Sequence, residues 1–177
     1  MSSQSADQRI IELEPAARDE EEEARQALAE DVLVGLSETP KRLSSRFFYD
    51  GVGSALFQSI TDLEEYYPTR VEHEILETHA EALLQRFAGD ALNLIDLGAG
   101  DGRKTRVVLE KAIEMGLDIR YVPIDISADA MRGLVASMGA RFPTLPIHGL
   151  VGEYTEAVRW LGHQGDRRNL LLFLGSN

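Results

Sequence analysis

Residues 92–106 read LNLIDLGAGDGRKTR. An apolar run closes on Asp96, glycines follow at 98, 100 and 102, and the basic pair Arg103-Lys104 opens the next stretch. Glycines between a strand and a helix let the backbone turn sharply and approach a ligand with no Cβ in the way. Outward from that turn the same rhythm continues. YVPIDI (121–126), PIHGLV (146–151) and NLLLFL (169–174) are short runs rich in Ile, Leu and Val. Between these runs, 104–115, 127–141 and 154–161 read as helices. Strands alternating with helices predict βαβ units, hence an α/β fold with a parallel sheet and helices on both faces. NLLLFL is then the fourth strand, and a sheet of this kind normally continues beyond it, so the sheet is expected to be incomplete and the chain the amino-terminal portion of a longer one.

The turn admits several ligands. A P-loop requires GxxxxGK[ST], but the residue five after Gly98 is Arg103. A dinucleotide fingerprint requires GxGxxG, and here the third glycine arrives one residue early. Asp96 and Asp101 frame the turn and would repel a pyrophosphate. S-adenosylmethionine is the third candidate, with a sulfonium, an ammonium and a carboxylate but no phosphate. An acid such as Asp96 would organise the ammonium directly or through water, the open turn would take the methionyl chain, and Lys104 would meet the carboxylate. A tight turn without any ligand is the alternative.

Two further strand ends favour a ligand. Asp125, in YVPIDIS, stands where a carboxylate accepts both ribose hydroxyls of an adenosine. Its other role would be helix capping, for which Ser127 is already available. Glu153-Tyr154 follows the next strand, placing an acceptor for an adenine amino group beside an aromatic ring. In series these residues describe one adenosyl pocket along the carboxyl edge of the sheet.

Upstream the chain reads as helical. Residues 1–7 are small and polar and are expected to lack order, with structure beginning only after residue 17. The acidic run 19–23 leads into Ala24, Leu28, Val32 and Leu36, one stripe of a helix ending before Pro40. In FFYDGVGSALFQSI (47–60), Gly51 and Gly53 suggest a turn before a short helix carrying Leu56, Phe57 and Ile60. In EEYYPTRVEHEIL, Thr69 with Glu72 reads as a capping box for a helix reaching about Phe87. His73 and His79 are six apart, which does not place them on one helix face for a metal, and no metal site is expected.

With 30 acidic against 18 basic residues, a net charge of −12 argues against a nucleic-acid surface. The chain has no cysteine, which excludes disulfides and thiolate metal sites. The longest apolar run, Leu170–Leu174, is too short to span a bilayer, and no secretory signal opens the chain, so a soluble cytoplasmic protein without a membrane partner is expected.

Taken in order, FFYDGVGSALFQSIT, EEYYPTRVEHEIL, LIDLGAGDGRKT, YVPIDIS and FLGSN resemble the histidine-specific S-adenosylmethionine-dependent methyltransferases of ergothioneine biosynthesis, from about residue 28 onward. The resemblance implies a Rossmann-like methyltransferase domain with a substrate-binding part built partly from amino-terminal helices, acting on the α-amino group of L-histidine. It divides the chain into a helical substrate-side segment, 18–88, and the first half of the cofactor domain, 89–177. It puts Gly98, Lys104 and Asp125 on cofactor-binding positions, with Gly100 in the same turn. Glu153 and Tyr154 fall where the family usually has Asp-Phe. Tyr66 falls on a histidine-contacting position and Tyr49, in FFYD, is a candidate for the same pocket; half-buried packing is the other role open to both tyrosines. Asn177 comes too early to be the family's substrate asparagine. No residue is assigned as a catalytic acid, base or nucleophile. A related methyltransferase acting on another amine, and a non-catalytic cofactor-binding fragment, are the alternatives. An NAD-dependent oxidoreductase is disfavoured by the glycine spacing.

Overall fold

The computed structural model describes residues 7–13, 20–44, 53, 56 and 59–174. Its elements are β1 (Gln8–Glu12), α1 (Glu20–Ser37), α2 (Pro68–Leu84) with a 3-10 turn at Gln85–Phe87, β2 (Leu92–Leu97), α3 (Arg103–Glu114), β3 (Ile119–Asp125), α4 (Ala128–Arg141), β4 (Ile147–Val151), α5 (Tyr154–Leu161) and β5 (Arg168–Leu172). Two compact units result, residues 14–62 and residues 1–13 together with 63–177. The second therefore holds the sheet and also α2, which lies within the 18–88 segment drawn from the sequence.

In the smaller unit, α1 ends at Ser37, ahead of Pro40 as its pattern predicts. Leu28, Leu33, Val34 and Leu36 stay exposed. Gly53, Leu56 and residues 59–61 are helical, so Gly53 lies in the helix instead of the turn before it. Gly51 and Phe57 lie outside the described residues.

The larger unit is built on a five-stranded sheet in the order β1-β4-β3-β2-β5. All four strand pairs are parallel, with Leu92 level with both Ile119 and Arg168. Because side chains alternate along a strand, each strand feeds two cores. Leu92, Leu94, Tyr121 and Ile147 pack with Ala80 and Leu84 of α2, Val108, Leu109 and Ala112 of α3, and Met131, Leu134 and Met138 of α4. Ile95, Val122, Ile124 and Leu150 face the other way, against Ala157 and Leu161 of α5. Helices thus cover both faces, and the doubly wound α/β expectation holds.

β1 corrects the expectation that order begins only after residue 17. Gln8–Glu12 pairs along its length with Ile147–Val151, so the strand of NLLLFL, expected as the fourth, is the fifth, β5. The reason is that Ile10 and Ile11 point to opposite faces, one packing on each core. A two-residue apolar stretch between polar residues is too short to read as a strand alone, and the neighbouring edge of β4 completes it. At β5, Arg167 donates to the Asp118 and Leu92 carbonyls at 2.7 and 3.1 Å.

The capping box is also corrected. α2 starts at Pro68 with Tyr67 as its N-cap and no side-chain capping bond, since Pro68 pre-sets the first-turn geometry. Glu72 instead reaches α3. Ser127 does cap α4, its Oγ accepting from the Ala130 N–H at 3.2 Å.

Candidate cofactor site

The strand order positions the site. From β2 the chain steps outward to β3 and β4, then returns to place β5 on the opposite flank of β2. Such a reversal opens a crevice at the carboxyl end of the strand where it occurs. The glycine turn leaves β2 at that end.

Gly98, Gly100 and Gly102 have φ of 68°, 54° and 70°, a left-handed backbone that side chains disfavour. The amides of Gly98 and Ala99 both donate to the Ile124 carbonyl, at 3.0 and 3.2 Å, clipping the turn to the end of β3. Gly102 is the N-cap of α3. A Cβ there would land on Met138 Cε and 2.5 Å from Leu134 Cδ1, flexible tips that can shift, so the left-handed backbone is the stronger reason for glycine. At Gly100 a Cβ would meet little, its nearest neighbour being the Gly98 carbonyl oxygen at 4.0 Å. That glycine borders open space, where a ligand can approach the backbone. Asp101 caps α3 by accepting from the Arg103 amide at 3.0 Å and pairs with the Arg103 side chain at 2.9 Å.

Asp96 is only 3% exposed. Its Oδ2 accepts from the Thr105 hydroxyl of α3 and from the Tyr121 hydroxyl of β3 at 3.0 Å. Burial pushes its carboxyl up to about 6, with the two hydroxyl donors offsetting part of that rise. Burial likewise pushes the Tyr121 hydroxyl well above its usual range. Asp96 therefore ties β2, β3 and α3 together beneath the turn.

Asp125 ends β3 and is half-buried. One oxygen accepts from the Gly100 amide at 3.3 Å and the other from the Ser127 amide at 2.9 Å. Each carboxylate oxygen has a second lone pair, so the group retains acceptor capacity at the rim. Its carbonyl accepts from the Gly152 amide at 3.1 Å, which brings the start of α5 alongside. Glu153, exposed, is the N-cap residue of α5 yet makes no capping bond with its side chain. Tyr154 packs on the Ile95–Leu150 core and meets Phe173 edge-on, ring centres 6.2 Å apart.

Gly98, Gly100, Asp125, Glu153 and Tyr154 are thus linked around one strand-end crevice. Lys104, in the first turn of α3, donates to Glu72 of α2 at 2.9 Å. Tyr66 sits half-buried in the loop before α2, a loop held by Arg70, which donates to the Leu63 carbonyl at 3.1 Å. Tyr66 precedes α2, whose Glu72 reaches Lys104 beside the turn. Tyr49 lies outside the described residues. The sequence reading missed Thr105, Tyr121 and the role of Glu72, whose partners lie 9, 25 and 32 residues away, at separations that follow no helical or strand period.

The donor set fits an adenosyl amino acid. Asp125 offers charged acceptors for vicinal hydroxyls, Gly100 an open backbone, and Lys104 a cation for a carboxylate. Among the described residues no group of acids and histidines could hold a metal ion, and no helix is long and apolar enough to cross a membrane.

Comparison with known proteins gives the family. Residues 28–177 match the family described as histidine-specific methyltransferase, SAM-dependent. A histidine N-alpha-methyltransferase of Mycolicibacterium smegmatis is 40% identical over 153 residues, 86% of this chain and 46% of the relative. Ergothioneine biosynthesis protein 1 of Neurospora crassa is 32% identical over 140 residues, 78% of this chain and 16% of that protein. A 4-dimethylallyltryptophan N-methyltransferase of Claviceps purpurea is 27% identical over 153 residues, 84% of this chain and 44% of the relative. The chain spans about half the length of the bacterial relative it matches, 46%.

Proposed function

Because the chain belongs to the histidine-specific, SAM-dependent methyltransferase family, we propose that it carries the donor-binding part of an enzyme that methylates the α-amino group of L-histidine, as in ergothioneine biosynthesis. The observation that carries this reading is the Asp125 carboxylate, fixed by the Gly100 amide at 3.3 Å at the end of β3, beside the strand where the sheet order reverses.

Bound S-adenosylmethionine would supply an electrophilic methyl group on a sulfonium. The chain's residues would do the positioning. Asp125 would accept the ribose hydroxyls, and Glu153 with Tyr154 would take the adenine edge and face. Gly98 and Gly100 would leave room for the methionyl chain, and Lys104 would meet its carboxylate. Tyr66, with Tyr49 as a second candidate, would help seat histidine. Displacement at a sulfonium methyl needs alignment and a dry site more than a strong acid or base. The attacking amine must be neutral, which a partly desolvated site favours. The proposal includes a small-molecule substrate and a cytoplasmic setting.

The test is label transfer. Incubated with methyl-labelled donor and a panel of amino acids, the protein should label L-histidine. Label on a tryptophan derivative but not histidine would favour the second reading, an N-methyltransferase of other amino acids, which the Claviceps relative supports. If equilibrium dialysis detects no uptake of S-adenosylhomocysteine, the donor site itself is misread.

A further inference from the structure

α3 begins with Arg103 and Lys104 and has no acid in its first turn. Two cations at a helix amino terminus oppose the helix dipole, so their placement has to be explained by what they meet. Arg103 is answered locally by Asp101. Lys104 is answered from a different helix, by Glu72 of α2, with Nζ and Oε2 2.9 Å apart. The two side chains are 27% and 29% exposed, partly sheltered yet reachable by a ligand. A pair this open contributes little to stability, about 0–1 kcal/mol, so joining two helices is a weak reason for it. Its position is more telling, because the Lys104 charge acts on Asp96 directly beneath the glycine turn.

An ammonium has three donors and a carboxylate about four acceptor sites. Among the described residues, the contact between Lys104 and Glu72 uses one of each. What is left is a cation and an anion held side by side. That arrangement is complementary to an α-amino-acid zwitterion, whose carboxylate and ammonium are carried on one carbon.

We propose that Glu72 is a donor-binding residue: its carboxylate receives the ammonium of the methionyl group while Lys104 receives the carboxylate, so that an ion pair between α2 and α3 reads the whole amino-acid head. This rests on the S-adenosylmethionine reading above. It also gives that head a physical link to the substrate side, since Glu72 lies six residues after Tyr66.

Three adenosyl ligands separate the parts. S-adenosylhomocysteine has both head charges, decarboxylated S-adenosylmethionine has the ammonium alone, and methylthioadenosine has neither. By calorimetric titration of the 177-residue chain, Glu72→Gln should weaken the first two about tenfold, the effect of one lost charge-assisted bond. Methylthioadenosine should bind within about twofold of the parent, which also reports that the variant is folded. Lys104→Gln should weaken S-adenosylhomocysteine but leave the decarboxylated ligand as tight as before or tighter. If Glu72→Gln leaves the decarboxylated ligand unchanged, Glu72 only orients Lys104 and the proposal is overturned. Tighter S-adenosylhomocysteine binding by that variant would overturn it as well, marking Glu72 as a competitor for the lysine. Failure of the parent to bind any of the three would remove the donor site itself, a different result from either.

Discussion

Asp96 and Asp125 are the same residue type near the carboxyl ends of neighbouring strands, on the same face of the sheet. Asp96 is level with Pro123, so Asp125 stands two rungs further out, about 7 Å at the usual rise per residue. That step changes everything about the carboxyl group. Asp96 lies under the turn, 3% exposed and bonded to hydroxyls. Asp125 lies at the rim, bonded to the backbone amides of Gly100 and Ser127. Burial raises the Asp96 carboxyl to about 6, and its two hydroxyl donors offset part of that rise. Amide donors at a rim leave an oriented anion facing solvent. One acid is built into the scaffold and the other stands at the rim with acceptor capacity to spare.

The largest expected effect comes from breaking the layer between them. Gly102→Ala would place a methyl group on Met138 and Leu134 at a φ of 70°. Left-handed backbone costs about 1–2 kcal/mol in a residue with a Cβ, and overpacking a further 1–3 or so. Urea denaturation should show a loss of about 2–5 kcal/mol by adding these two terms, nearer the lower end if the Met138 and Leu134 tips shift aside. A loss of less than about 1 kcal/mol would mean that the turn yields easily and does not hold the two acids apart.

Somewhat smaller is the pH dependence tied to Asp96. Its folded carboxyl sits at about 6 against an ordinary 3.8, so the folded state binds the proton more tightly than the unfolded chain. Asp96 therefore favours folding fully at pH below about 4, and that contribution, about 3 kcal/mol, is lost as pH rises through about 6. Asp96→Asn should remove this slope while its amide oxygen still accepts from Thr105 and Tyr121. Urea midpoints taken across that interval should converge for parent and variant toward low pH, where the carboxyl is neutral like the amide, and diverge toward high pH, where the parent must bury a charge. Parallel curves would show that the Asp96 carboxyl is not buried against its charge.

The strand–helix alternation and the glycine turn were legible because each depends on local pattern: Ile, Leu and Val in short runs, then helical spacing. Asp125 was legible for the same reason, as the last polar residue of a strand beside that turn. β1 was not, because Gln8–Glu12 becomes a strand only through the exposed edge of β4. Nor was the division of labour between the two acids. Both end an apolar run in the sequence, and only the hydroxyls of Thr105 and Tyr121, brought in from α3 and β3, show that Asp96 is enclosed. Glu72 misled for a related reason. Its spacing from Thr69 suits a capping box, but Pro68 already starts the helix, which releases the carboxylate to reach Lys104.

The smallest expected effect is the one that tests the comparison most directly. Asp125→Asn removes the charge from the rim but keeps the shape. The Gly100 and Ser127 amides currently share two carboxylate oxygens. An asparagine can satisfy only one of them, while its amino group faces the other. Ribose hydroxyls donating to a neutral amide oxygen bind less tightly than to a carboxylate. S-adenosylhomocysteine should therefore bind roughly 10- to 30-fold more weakly, equivalent to about 1.4–2 kcal/mol. The pH slope of stability between about pH 4 and 6 should survive, since it belongs to Asp96. Asp96→Asn should show the reverse, with affinity within about threefold of the parent because no ligand reaches a carboxyl so enclosed. If titration finds that Asp96→Asn abolishes binding while Asp125→Asn leaves it intact, the two roles are exchanged, and the ligand contacts the strand end beneath the turn instead of the rim.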